Sequence, residues 1–171
     1  MTRNQRLRRV AILCCHCLRN LAFYRAWHLE GRPHSDNQFW VTANGNALDA
    51  TVLEWCKLFG DPRGKHYYAK VVSDPVQFRS EMLDKLKMDG AAFEKYLGEM
   101  KTYRDKFVAH LDDLHTMHIP AFGIARGSVT FLYNHLLDNE DDGNVFHDVS
   151  ETNGTSYYNK WLQVGRDSCK I

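Results

Sequence analysis

Apolar side chains recur at steps of three and four along most of the chain, while the two-residue alternation of a half-buried strand is nearly absent. Such spacing gathers them on one face of a helix, so the chain is predicted to be all-α. A first helix, about Arg3 to Leu29, carries Leu7, Val10, Cys14, Cys17, Leu21 and Tyr24 on one face, and "EGRPHSDN" ends it. A second is expected from a cap near Ser35 or Asp36 to Phe59, with the seam Val41, Leu48, Val52, Trp55 and Phe59; Gly60, Asp61 and Pro62 stop it. The state of the aromatic "HYYAKVV" that follows is left open by its pattern. Asp74 before Pro75 marks the start of a third helix with Phe78, Met82 and Leu86 on its face; Gly90 ends it and Asp89 can cap the next. The fourth runs from about Ala91 to Leu111. The fifth starts near Pro120 and has the seam Phe122, Ala125, Val129, Leu132 and Leu136; Gly123 and Gly127 would let another helix approach closely. "SYYNKWLQV" (156–164) reads as a last short helix.

Mostly short connections between such helices describe an up-and-down bundle of four to five helices with a short C-terminal helical extension. At 171 residues it is expected to form a single domain over 1–171, with its core at about 3–137 and an acidic loop plus extension at 138–171.

Charge narrows the function. Lys and Arg number 22 against 21 Asp and Glu, so no global field draws the chain to a polyanion or a membrane. The charge is nevertheless uneven, with Arg3, Arg6, Arg8 and Arg9 at the start and "LLDNEDDGN" at 136–144. Five cysteines, three of them in "CCHC" (14–17), lack the spacing of a disulfide framework and fit a reducing compartment. The apolar run before His16 is shorter than the roughly 7–15 residues of a secretory signal, and no run approaches a membrane span. A cytoplasmic protein is expected.

Within the fourth helix, Phe93, Leu97, Met100, Arg104, Phe107 and Leu111 follow a 4-3-4-3-4 spacing, which puts a guanidinium where the pattern reserves an apolar group. On an ideal helix His110 lies about 120° from Arg104 and roughly 9 Å along the axis, with Phe107 between them. Tyr103 and Lys106 fall on the His110 side, whereas Asp105 points away from His110. A cation and an imidazole in an apolar seam are costly unless something anionic or a wet interface meets them. A salt bridge from Arg104 to a neighbouring helix, with Asp49 as partner, would be a purely structural answer.

"YRDKFVAHLDD" (103–113) resembles the signature of the HEPN superfamily: Arg, four to six residues, then His, often with a polar residue directly after the arginine. Upstream, "NALDATVLEWCKLFGD" (46–61) is similar to the second-helix signature of the AbiU2-like subgroup. The resemblance implies a HEPN-like helical bundle and a homodimer. It further implies metal-independent RNA cleavage where two motifs face each other, with no cofactor and no metal. Toxin–antitoxin or phage-defence settings are implied too, the partner being an antitoxin of nucleotidyltransferase type. Arg104, His110 and Asp105 are the implied catalytic set, with Lys106 and Tyr103 in RNA binding. Other members have lost catalysis, so a non-catalytic RNA- or nucleotide-binding or protein-interaction module is the alternative.

The residue types suit the reaction. Cleavage without metal removes a proton from a ribose 2′-hydroxyl, stabilises an extra charge on phosphorus and protonates the leaving oxygen. Histidine transfers protons near neutrality, and arginine's planar fork fits phosphate oxygens. Asp105 is expected to orient Arg104.

Other signals carry less. "CCHC" radiates around a helix and cannot converge on one zinc ion. His110, His115 and His118 with Asp112 and Asp113 match no ligand spacing, and the chain contains no Glu-x-x-His. "DNEDDG" (138–143) has Val149 where a calcium loop needs glutamate, so it reads as a solvated acidic loop. Trp27, Trp40, Trp55, Trp161, Tyr67 and Tyr68 could stack on bases, but Trp55 at helical spacing is expected in the core.

Overall fold

The computed structural model describes residues 1–29, 32–33, 37–108 and 118–168. They form an all-α bundle of six helices: α1 (Arg3–Ala26), α2 (Gln38–Trp55), α3 (Pro75–Leu86), α4 (Gly90–Tyr103), α5 (Phe122–Asn139) and α6 (Gly154–Ser168). A two-residue antiparallel ladder, His28–Leu29 with Arg32–Pro33, joins α1 to α2. The "HYYAKVV" segment, open from sequence, is a short 3₁₀ turn at Tyr68–Lys70 that buries Tyr68, Val71 and Val72.

Local chemistry sets the helix starts. Thr2 and Gln5 form a reciprocal capping box on α1, and the carboxylates of Asp74 and Asp89 accept first-turn N–H groups of α3 and α4. The cap of α2 is Asn37, whereas Ser35 and Asp36, expected in that role, lie outside the described residues. Helix α3 ends at Lys87 in the left-handed region (φ 54°), and Gly90 is the first residue of α4 rather than a stop.

Helix α1 packs against α2, α5 and α6. All of its predicted face from Leu7 to Leu21 is buried, and Tyr24 is half-buried. The α5 seam is buried throughout, whereas Val41 at the start of α2 is exposed. Trp55 lies at the centre with no exposed surface, its Nε1 donating to Ser128 Oγ at 2.9 Å and its ring packed on Phe59, Phe93 and Tyr96. Of the two glycines expected at a close approach, Gly127 faces Leu86 of α3, and Gly123 has open space beside it.

The C-terminal segment is more than an extension. Helix α6 is longer than the 156–164 expected and runs parallel to α1, with Trp161 edge-on to Phe23 at 5.7 Å. A Cβ on Gly165 would come 2.7 Å from Ala26 Cβ, so only glycine lets the two backbones come this close. The acidic segment is likewise not simply solvated. Glu140 is 2% exposed and accepts from the Ser73 backbone N–H and hydroxyl, both at 2.6 Å, and from Arg3 at 2.5 Å, with His135 beside it. Arg8 pairs with Asp148. Phe146 is buried against the core. Periodicity could not show this, because the contacts to Ser73, Arg3 and Arg8 join residues 67 to 140 apart in the chain.

Candidate active site

Both segments that carry the family resemblance contain the same unusual element among their described residues. Helix α2 runs into a π-helical turn at Cys56–Gly60, and α4 into another at Arg104–Val108. The two are neighbours: α4 packs against the first turn, and the second packs against α2. Turns with i→i+5 hydrogen bonds are rare and concentrate at functional sites. Because they widen the helix, angles reckoned at ~100° per residue stop applying at Arg104.

This geometry corrects the position of Arg104. The buried line of α4 is Phe93, Tyr96, Met100 and Tyr103, which also steps by three and four. Leu97 and Phe107 are only half-buried against the core. Arg104 therefore sits at the edge of the seam, with 27% of its side chain exposed. Of two equally periodic lines, the helix buries the one with tyrosines, whose hydroxyls cost less to desolvate than a guanidinium does.

The supposed partner also differs. Asp49 accepts from the Tyr103 hydroxyl at 3.0 Å, while Arg104 Nε donates to Asp105 Oδ1 at 2.6 Å. That hydrogen bond raises the already high Arg104 pKa. The structure thus brings Arg104 and Asp105 together, as the expectation that Asp105 orients the guanidinium requires. Lys106 is exposed on the same turn. Tyr103, expected to contact RNA, is 3% exposed, so its ring is turned inward and serves to fix α4 on α2. Burial, and then the negative charge of Asp49, push its hydroxyl pKa well up. His110 lies outside the described residues, as do Leu111, Asp112, Asp113 and His115.

One neighbour escaped the sequence reading. Cys56 opens the first π-helical turn within electrostatic reach of Arg104, and Asp61 is also within reach of that guanidinium. Burial pushes the Cys56 thiol up to about 11 against the opposing charge of Arg104, so it is protonated at neutral pH and a poor nucleophile. The signal was present in "LEWCKLFG", but nothing in helical periodicity places residue 56 against residue 104.

Elsewhere the aromatic and sulfur signals resolve into packing. Trp27 and Trp40 lie 5.9 Å apart at 30° and line a groove of about 580 Å³ with Asn20, Asn44 and Asn46. In "CCHC", Cys14 and Cys17 are buried, and Cys17 Sγ donates to the Thr51 carbonyl. Among the described residues no three His, Cys, Asp or Glu side chains converge as metal ligands. No described helix is long and apolar enough to cross a membrane. No protein-family model, curated protein or solved structure matches the chain.

Proposed function

We propose that the chain is a metal-independent endoribonuclease of HEPN type, acting as a cytoplasmic homodimer in a toxin–antitoxin or phage-defence system. The observation that carries this reading is the Arg104–Asp105 pair, half-exposed on a π-helical turn and backed by a second such turn. Asp105 holds the guanidinium by Nε, an arrangement suited to presenting its terminal nitrogens to a phosphate. In this reading Arg104 stabilises the charge gathering on phosphorus, and His110 exchanges protons with the 2′-hydroxyl or the leaving oxygen. Two copies bring two such sets to one cleft, one histidine serving as base and its mate as acid. Lys106 holds the RNA backbone, and an antitoxin of nucleotidyltransferase type restrains the enzyme.

The same Arg104–Asp105 bond favours a second reading, in which the pair is structural and the bundle binds RNA or a nucleotide without cutting it. Single-stranded RNA incubated in EDTA with purified wild type, Arg104→Ala and His110→Ala separates the two. The nuclease reading expects wild-type cleavage to 2′,3′-cyclic phosphate ends and a loss of about 100-fold or more in each variant. Equal cleavage by all three would end it, and RNA that binds but stays intact would establish the alternative.

A further inference from the structure

At the opposite end of α1 from the acidic segment, arginines from three helices share one cleft. Arg25 comes from the last turn of α1, Arg126 from α5 and Arg166 from the end of α6; with His28, Phe122 and Tyr158 they line about 380 Å³. Among the described residues no aspartate or glutamate lines this cleft. Among the described residues none of the three guanidiniums has a carboxylate partner, whereas Arg3, Arg8, Arg79 and Arg104 each have one. Arg126 instead lies over the Tyr158 ring at 5.2 Å.

The first turn of α5 adds to the same field. Its N-cap, Ala121, supplies no side-chain acceptor, and Gly123 borders the cleft with nothing near its Cβ position. Free N–H groups at a helix start favour an anion. Like charges gathered in a concavity repel one another, so the arrangement makes physical sense when an anion occupies it.

The charge count selects the anion. A phosphodiester carries one negative charge, whereas a terminal phosphate approaches two and a pyrophosphate exceeds that. Guanidinium forks bind such oxygens in pairs. Leu21, Leu162 and Phe122 form apolar walls beside the cations, where an attached sugar or base can rest. We infer that this cleft binds the terminal phosphate or pyrophosphate group of a nucleotide or of a phosphorylated RNA end. It is independent of the Arg104 turn, and its test does not depend on RNA cleavage.

The probe is inorganic pyrophosphate, titrated calorimetrically into the full-length protein at constant ionic strength. Wild type is expected to bind saturably. The Arg126→Gln/Arg166→Gln double variant and the separate Arg25→Gln variant should each bind at least tenfold more weakly. Unliganded melting temperatures should stay within a few degrees of wild type, since among the described residues these side chains hold no carboxylate and only the Arg126 contact with the Tyr158 ring is lost. Absence of saturable wild-type binding, or equal affinity in all three proteins, would overturn the assignment. Competition identifies the source of the phosphate: displacement by ADP indicates a free nucleotide, and displacement by a 5′-phosphorylated 2′-O-methyl oligonucleotide indicates an RNA end. Equal displacement by the 5′-hydroxyl oligonucleotide would mean that the cleft reads the singly charged backbone, and would also overturn the assignment.

Discussion

The two ends of α1 use arginine in opposite ways. At the amino-terminal end Arg3 and Arg8 meet Glu140 and Asp148, and the charges close a distant acidic segment onto the bundle. At the carboxy-terminal end Arg25 shares a cleft with Arg126 and Arg166, and no acid lines it among the described residues. A near-neutral chain can thus be neutral at one end and strongly cationic at the other. Net charge describes neither, because neutralisation is decided pair by pair over a few ångströms.

The comparison can be broken most severely at Glu140. Glu140→Ala leaves the Ser73 N–H and hydroxyl without their acceptor, and urea unfolding should show a loss of about 3 kcal/mol. Pyrophosphate binding at the far cleft should survive wherever the variant remains folded.

A pH series sharpens the same contrast. Burial alone would raise the Glu140 carboxyl pKa, but Ser73, His135 and the charge of Arg3 outweigh it and lower the value in the fold. The stability it contributes is therefore complete above the ordinary glutamate value of 4.5 and is lost as pH falls through the lowered value. The difference in urea midpoint between wild type and Glu140→Gln should be largest near pH 7 and shrink below about pH 4.5. A gap that widened in acid would mean that Glu140 is held protonated.

Gly165→Val attacks the other end by steric means. A branched side chain 2.7 Å from Ala26 must push α6 off α1, at about 1–3 kcal/mol in the same assay. Because α6 carries Arg166 and Tyr158, pyrophosphate binding should weaken even in the folded fraction. The smallest effects come from single arginines. Arg3→Gln should cost about 1 kcal/mol, discounted because its side chain is 42% exposed, whereas Arg166→Gln should stay within about 0.5 kcal/mol of wild type. Equal costs at both positions would erase the distinction between paired and unpaired ends.

Much of the helical plan was legible because its causes are local. Asp74 with Pro75, Asp89, and the α5 seam from Phe122 to Leu136 each state their role within a few residues. The candidate site was legible only in part. Its residues stand out as a motif, but the α4 sequence offers two seams that both step by three and four, and the inward Tyr103 finds its acceptor in Asp49, 54 residues away. The acidic segment was misread for a similar reason: a glutamate in "DNEDDG" looks solvated until Ser73 and Arg3 are placed around it.

By itself, then, the sequence determined that this protein is helical, where most helices begin, and that Arg104, Asp105 and Lys106 stand together in one motif. Caps and periodic faces act through hydrogen bonds and burial within one or two turns, so adjacent residues suffice to specify them. Only the tertiary structure decided which arginines are neutralised, that α6 belongs to the core, and that two π-helical turns lie side by side. Those outcomes depend on Coulomb and contact forces that fall off over a few ångströms, and helix packing alone sets which distant residues come within that range.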